Sequence, residues 1–134
     1  MHKLKITLLA ACMVIGGWLT AAYGAEPVTA TPQKLCLGLM QIDSIDILDN
    51  RNIVFKMDNG EYYLNQLPYT CGSLYKDKAI MYKTTLSELC NVDIITVLNN
   101  IGGGYMSEGS CGLGKFKPIS KAEYGAMKHN TAEK

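Results

Sequence analysis

The chain has 134 residues, with 13 Lys+Arg against 12 Asp+Glu and a formal net charge of +1. That length holds one domain of ordinary size, and the balanced charge argues against a generic nucleic-acid binder or a polybasic membrane-surface patch. Five cysteines and a mean hydropathy of +0.04 are the two features that stand out.

The apolar excess is N-terminal. Met1-His2-Lys3-Leu4-Lys5 is a basic opening, and no residue from Ile6 to Ala25 carries a charge. Ala22-Tyr23-Gly24 offers the small residues a signal peptidase reads, so residues 1–24 are expected to be a signal peptide cut between Gly24 and Ala25. Two alternatives stand beside this. The uncharged stretch reaches the ~20 residues of a retained membrane anchor. Leu9-Ala10-Ala11-Cys12 also has the local form of a lipobox, which would put a lipid on Cys12; against it, the apolar run before Cys12 is short and the residues after it are apolar rather than a polar tether.

Beyond residue 24 the balance changes. Eleven basic residues face 12 acidic ones, a net charge of −1, and Trp18 and Cys12 fall in the removed part. Four cysteines remain, Cys36, Cys71, Cys90 and Cys111, and an even number in a small exported chain reads as two disulfides. Their separations of 35, 19 and 21 residues contain no C-x₂-C pair, which argues against structural zinc and against a redox dithiol.

Residues 25–34, punctuated by Pro27 and Pro32, are expected to be a flexible lead-in. Residues 35–120 form the expected folded domain, and 121–134 a polar C-terminal tail. Within the domain the hydrophobic period is two. Ile45 to Leu48 runs into the turn signal Asp49-Asn50, and Asn52 to Met57 puts Ile53, Phe55 and Met57 on one face. Asp58-Asn59-Gly60-Glu61 is a hairpin signal in which both central residues would take φ > 0, and Tyr62 to Asn65 resumes the strand. Residues 42–67 therefore read as a three-stranded meander. Ala79 to Lys83 and Asp93 to Leu98 are two further strands. Thr85 to Leu89 has the spacing of a capping box and predicts one helical turn. Residues 102–114 read as a glycine-rich loop, and Lys115 to Ile119 as a short edge strand that tolerates Pro118.

The expected fold is mainly all-β: a small antiparallel meander or barrel of five or six strands, with two disulfides and at most one short helical turn. In an up-and-down arrangement Cys36 and Cys90 fall at one end and Cys71 and Cys111 at the other. This favours the pairing Cys36–Cys90 and Cys71–Cys111 among the three possible.

Several motifs resemble chemistry without completing it. Gly109 to Lys115 satisfies G-x₄-G-K, but Phe116 stands where a phosphate loop needs Ser or Thr. Asp43, Asp46 and Asp49 lack the spacing, the glycine and the terminal glutamate of a calcium loop; turn-capping or solvent-facing roles suit them better. His129 is the single histidine after residue 24 and lies in the polar tail. Asp93 is expected to cap the turn before it. No catalytic, cofactor-binding or metal-binding residue is therefore assigned. Of the seven tyrosines after residue 24, most are expected to be structural, and Tyr69 and Tyr105 are the candidates for a surface binding role.

The cysteine frame has further company: Ile45-x-Ile47-Leu48-Asp49-Asn50-Arg51-Asn52-Ile53-Val54-Phe55, then Tyr63-Leu64-x-x-Leu67 before Cys71-Gly72-Ser73-Leu74, then Leu89-Cys90-x-x-Asp93-x-Ile95-x-Val97, then a glycine-rich approach to Cys111. Over residues 35–120 this resembles a bacterial family of small exported four-cysteine proteins catalogued only as a domain of unknown function. The resemblance implies an exported β-rich domain and no activity, and some such proteins look like lipoproteins. The expected function is a non-enzymatic binding or structural module of the cell envelope, periplasmic or secreted, partnered by an envelope protein or a glycan, with no nucleic acid and no cofactor. Contact with the membrane is expected only through the signal segment or a lipid on Cys12. The alternatives are a small enzyme-inhibitor or immunity-like protein and, behind it, a hydrolase with a carboxylate pair.

Overall fold

The computed structural model describes residues 32–133. The cleavage point at Gly24 and Ala25 and the alternative lipid site Cys12 lie outside these residues. The described residues form nine strands: β1 (Cys36–Gly38), β2 (Ile42–Ile47), β3 (Asn52–Met57), β4 (Tyr62–Gln66), β5 (Ala79–Tyr82), β6 (Glu88–Cys90), β7 (Ile94–Ile101), β8 (Gly104–Gly112) and β9 (Phe116–Ile119). One α-helix, α1 (Lys121–Ala132), follows among the described residues.

The protein is mainly antiparallel β with two disulfides, but the strands do not close into one barrel. They form a four-stranded sheet in the order β2-β3-β4-β9, a three-stranded sheet β5-β7-β8 and a two-stranded ribbon β1-β6. The meander β2-β3-β4 is followed by a long crossing, and its sheet is completed only by β9 from the far end of the chain. Closure fails because β5 pairs with β7 and not with β4, so the chain starts a second sheet after Cys71.

All three sheets supply one core. Ile47, Ile53, Phe55, Met57, Tyr63 and Phe116 from the first sheet meet Leu37, Leu89, Ile95 and Val97 from the other two. Alternation explains the choice of face: Ile53, Phe55 and Met57 are i, i+2 and i+4 of one strand. At the centre Phe55 and Phe116 meet edge to face with ring centroids 5.4 Å apart, an arrangement that sets the positive ring edge against the negative face. Val54 points to the opposite face yet is also buried. There it lies in register between Asp46 of β2 and Leu64 of β4, on the side that α1 covers.

The helix corrects the expectation of a polar tail and of at most one helical turn. Ser120 is its N-cap: the Ser120 hydroxyl accepts from the Glu123 N–H (3.1 Å) and the Glu123 carboxylate accepts from the Ser120 N–H (2.6 Å). This reciprocal pair satisfies two otherwise orphaned donors. The spacing noted at Thr85 and Glu88 forms no such box, because Glu88 belongs to β6, where it faces Gly38 across the ribbon. No residue of α1 is fully buried. The helix is held instead by polar and aromatic contacts: Tyr124 stacks on Tyr62 at 5.0 Å, its hydroxyl donates to Asp46 (2.6 Å), and Lys128 reaches Asp46 at 3.2 Å.

Two turns differ from expectation. At Asp58-Asn59-Gly60 only Gly60 takes positive φ (87°). The Gly60 N–H bonds to the Met57 carbonyl and the Met57 N–H to the Glu61 carbonyl, as in a turn closed by a glycine bulge. The pair of positive φ values falls at Gly102 (59°) and Gly103 (85°). They join β7 to β8, so the expected glycine-rich loop is largely strand: residues 104–112 pair with β7 over its whole length. Lys34 also departs from the expected lead-in, exchanging two 2.9 Å backbone hydrogen bonds with Phe116.

Cys36 is bonded to Cys90 and Cys71 to Cys111. The first bridge spans directly opposed residues of β1 and β6, with Cα atoms 4.0 Å apart. The second ties the loop after β4 to β8, so it links the two larger sheets. Disulfides persist in oxidising compartments, and two of them suggest an oxidising, exported environment. Among the described residues no helix is long and apolar enough to cross a membrane.

Candidate functional site

The corner between β2 and β3 is the most cross-linked polar segment of the surface. Asp49 accepts from the backbone N–H groups of Arg51 and Asn52, each at 2.8 Å, and from the Asn52 side-chain amide at 3.0 and 2.9 Å. This is the local chemistry that makes Asp a turn residue. The corner is also fastened to the loop after β4. Leu67 and Cys71 donate their N–H groups to the carbonyls of Arg51 and Asn50, each at 2.8 Å, and Arg51 Nε donates to the Leu67 carbonyl at 3.0 Å. Arg51 therefore pairs with a loop carbonyl, while Asp49 takes its backbone N–H.

Beside this corner runs an open groove of about 890 Å³. One wall is the corner itself, the second is the Tyr75–Asp77 loop, and the third is the C-terminal half of α1 with Met127, Asn130 and Thr131. The groove holds one aromatic ring (Tyr75, 57% exposed) amid side-chain amides and charges of both signs. Arg51 and Lys76 balance Asp49 and Asp77. Three of the donor contacts to Asp49 fall on Oδ1 and one on Oδ2. Among the described residues no histidine or cysteine lines the groove. What remains is a set of planar hydrogen-bonding groups around an exposed ring and a thioether, suited to holding a polar ligand.

The attachment of α1 sets the third wall. Asp46 is partly buried, which opposes its charge, but the Tyr124 hydroxyl and the Lys128 ammonium outweigh that cost and hold its carboxyl below the usual range. The same bond to Asp46 raises the Tyr124 phenol, and the Tyr124 hydroxyl with Asp46 raises Lys128. The helix is thus pinned through a hydrogen bond and an ion pair on one carboxylate.

The residues proposed for surface binding lie elsewhere. Tyr69 is 83% exposed in the loop after β4, and Tyr105 is 66% exposed on β8, not in a loop; neither lines the groove. Tyr75, Met127 and Asn130 are the groove residues that sequence reasoning missed. The Ser120-x-x-Glu123 spacing could have revealed the helix that carries two of them. Among the other motifs, Asp93 accepts from the Cys90 N–H at 2.6 Å and caps its turn. His129 is exposed on α1. Gly109–Gly112 lies in β8 and Phe116 opens β9, so no helix N-terminus stands behind the G-x₄-G-K segment. Among the described residues Cys36, Glu88 and Cys90 bring possible metal-ligand atoms within 4.8 Å of one another. The two sulfurs are bonded to each other and have no thiolate to offer.

Comparison with protein-family models, curated proteins and solved structures returns no match. The groove must be read from its own chemistry. A smaller recess of about 390 Å³ lies on the outer side of β5 and β7, between Met81, Lys83 and Ile94. Its lining is half apolar (Met81, Val92 and Ile94) and half polar (Lys83, Asp93 and Thr96).

Proposed function

We propose that the protein is a non-enzymatic binding module of the bacterial cell envelope, periplasmic or secreted after signal cleavage, that holds a polar envelope ligand in the groove between the Asp49–Asn52 corner, Tyr75 and α1. The observation that carries this reading is the groove's composition. An exposed tyrosine ring, amides and a fixed guanidinium surround a space whose charges cancel. A glycan segment is the ligand that best matches it. Sugar rings present apolar C–H faces to an aromatic side chain and hydroxyls to planar amide, carboxylate and guanidinium groups. The two disulfides and the resemblance to exported four-cysteine proteins support the compartment.

The test is co-sedimentation of the oxidised protein with purified cell-wall sacculi, together with binding to immobilised envelope glycans. Tyr75→Ala and Arg51→Ala should each lower retention several-fold while circular dichroism stays unchanged. Retention indifferent to both changes would remove the groove from the reading. Recovery of a single stoichiometric enzyme from an envelope extract, with no glycan retention, would favour the inhibitor or immunity-like alternative.

A further inference from the structure

Sheet edges expose unpaired N–H and C=O groups, and folded proteins ordinarily blunt them with charge, proline or short length. Most edges of this molecule follow that rule. In the first sheet, β2 carries Asp43 and Asp46, while β9 carries Lys117 and Pro118 and is bridged by Lys34. β5 has four residues and stands between Lys78 and Lys83. The ribbon strands β1 and β6 have three residues each.

β8 is the exception. It has nine residues, and among the described residues it pairs with β7 alone. It contains no lysine, arginine or proline. Its single charge, Glu108, is neutralised by Lys78 at 2.8 Å. Residues 104–108 are exposed without a break, and Tyr105 (66%), Met106 (59%) and the neighbouring Ile101 (54%) present apolar side chains there. Beyond them Gly109 and Cys111 are only half-exposed, and Cys111 is held by its bridge to Cys71, so the freely exposed run is the first half of the strand.

We infer that the exposed edge of β8, residues 104–108, pairs antiparallel with the same edge of a second copy of this chain. Self-pairing suits the strand's own pattern. A two-fold axis at Met106 sets the two Met106 side chains against each other and Tyr105 beside the partner's Ser107. It also places each Glu108 opposite the partner's Gly104, so that the two acidic groups stay apart. The sheets then join as one six-stranded antiparallel sheet. A chain of net charge +1, or −1 beyond residue 24, meets little long-range repulsion from its copy. So short an interface forms a weak, concentration-dependent dimer.

Sedimentation velocity of the oxidised protein, expressed from its first residue, tests this across micromolar to millimolar concentrations. The expected result is a monomer–dimer equilibrium, with β8 amides protected from hydrogen exchange only in the dimer. Met106→Lys and Met106→Glu should each weaken the dimer about tenfold, since like charges then face each other at the axis. Mixing the two variants should restore association. Met40→Lys, at a 90% exposed site away from β8, should leave it unchanged, and circular dichroism of every variant reports folding separately. Four results overturn the inference: a monomer at all concentrations, a dimer indifferent to Met106, a monomer whose β8 amides are already protected from within the chain, or a monomer that takes up a different protein's strand on this edge. None of these bears on the groove, whose sacculus test reads a separate face of separate residues.

Discussion

Asn65 and Gly114 are joined by two reciprocal hydrogen bonds: the Asn65 amide donates to the Gly114 carbonyl at 2.7 Å, and the Gly114 N–H donates back to Asn65 Oδ1 at 2.8 Å. Asn65 is the one buried polar residue among those described, with no exposed surface. Its side chain does for Gly114 what an adjacent strand would do, just before β9 begins. Asn65→Leu should therefore cost about 2–4 kcal/mol, the loss of two bonds plus the desolvation of two stranded backbone groups. Gly114→Ala should also destabilise, by about 1–3 kcal/mol, because a Cβ there would overlap the Gln66 carbonyl. Urea denaturation of both variants checks the pair, and a neutral Gly114→Ala would contradict the close approach.

The two disulfides close sequence separations of 54 and 40 residues. Replacing either pair with serine should cost about 2–4 kcal/mol, a large part of the stability of a domain this size. Peptide mapping without reduction should recover Cys36 with Cys90 and Cys71 with Cys111. A fragment linking Cys36 to Cys71 would contradict both bridges at once.

The anchor of α1 is pH-dependent in a defined direction. The folded Asp46 has a depressed pKa, so its contribution is fully present above the unfolded carboxylate value of about 3.9 and is lost as pH falls through the lower folded value. Below about pH 4 the helix should loosen from β2 before the core responds. Nuclear magnetic resonance of the Tyr124 and Tyr62 ring protons reports that step. Asp46→Asn should produce the loosened helix already at neutral pH, and rings that stay stacked in this variant would show that Asp46 is not the anchor.

Removal of the N-cap should separate helix from sheet in another way. Ser120→Ala is expected to cost about 1 kcal/mol and to raise amide exchange in α1 while leaving β3 and β7 protected. Equal loss of protection across the whole domain would instead mean that α1 and the core unfold as a unit.

The meander was legible because its signals agree. Ile53, Phe55 and Met57 alternate with Asn52, Val54 and Lys56, two of them polar, and a turn-forming pair stands at each end. β8 was hidden because six consecutive strand positions, Ser107 to Gly112, hold no β-branched or aromatic residue. Its extended state is imposed by the Gly102-Gly103 turn and by pairing with β7. The helix was hidden for the opposite reason: no apolar stripe marks it, since a hydrogen bond, an ion pair and a ring stack hold it rather than burial. The corner of the groove was visible as Asp49-Asn50-Arg51, but its other walls come from residues 75–77 and 127–131. No local pattern announces that these segments meet.

The two disulfide loops overlap: the first runs from residue 36 to 90 and the second from 71 to 111. Everything between Cys36 and Cys111 is thereby enclosed in one covalent network, while β9 and α1 stand outside it. A pull on the N-terminus breaks the Lys34–Phe116 pair and, two residues later, meets a bond that does not yield. A pull on the C-terminus peels away α1 and then β9 with no covalent stop before Cys111. The molecule is therefore mechanically lopsided, tethered firmly by its front end and detachable at its back. The back is also where one wall of the groove is built.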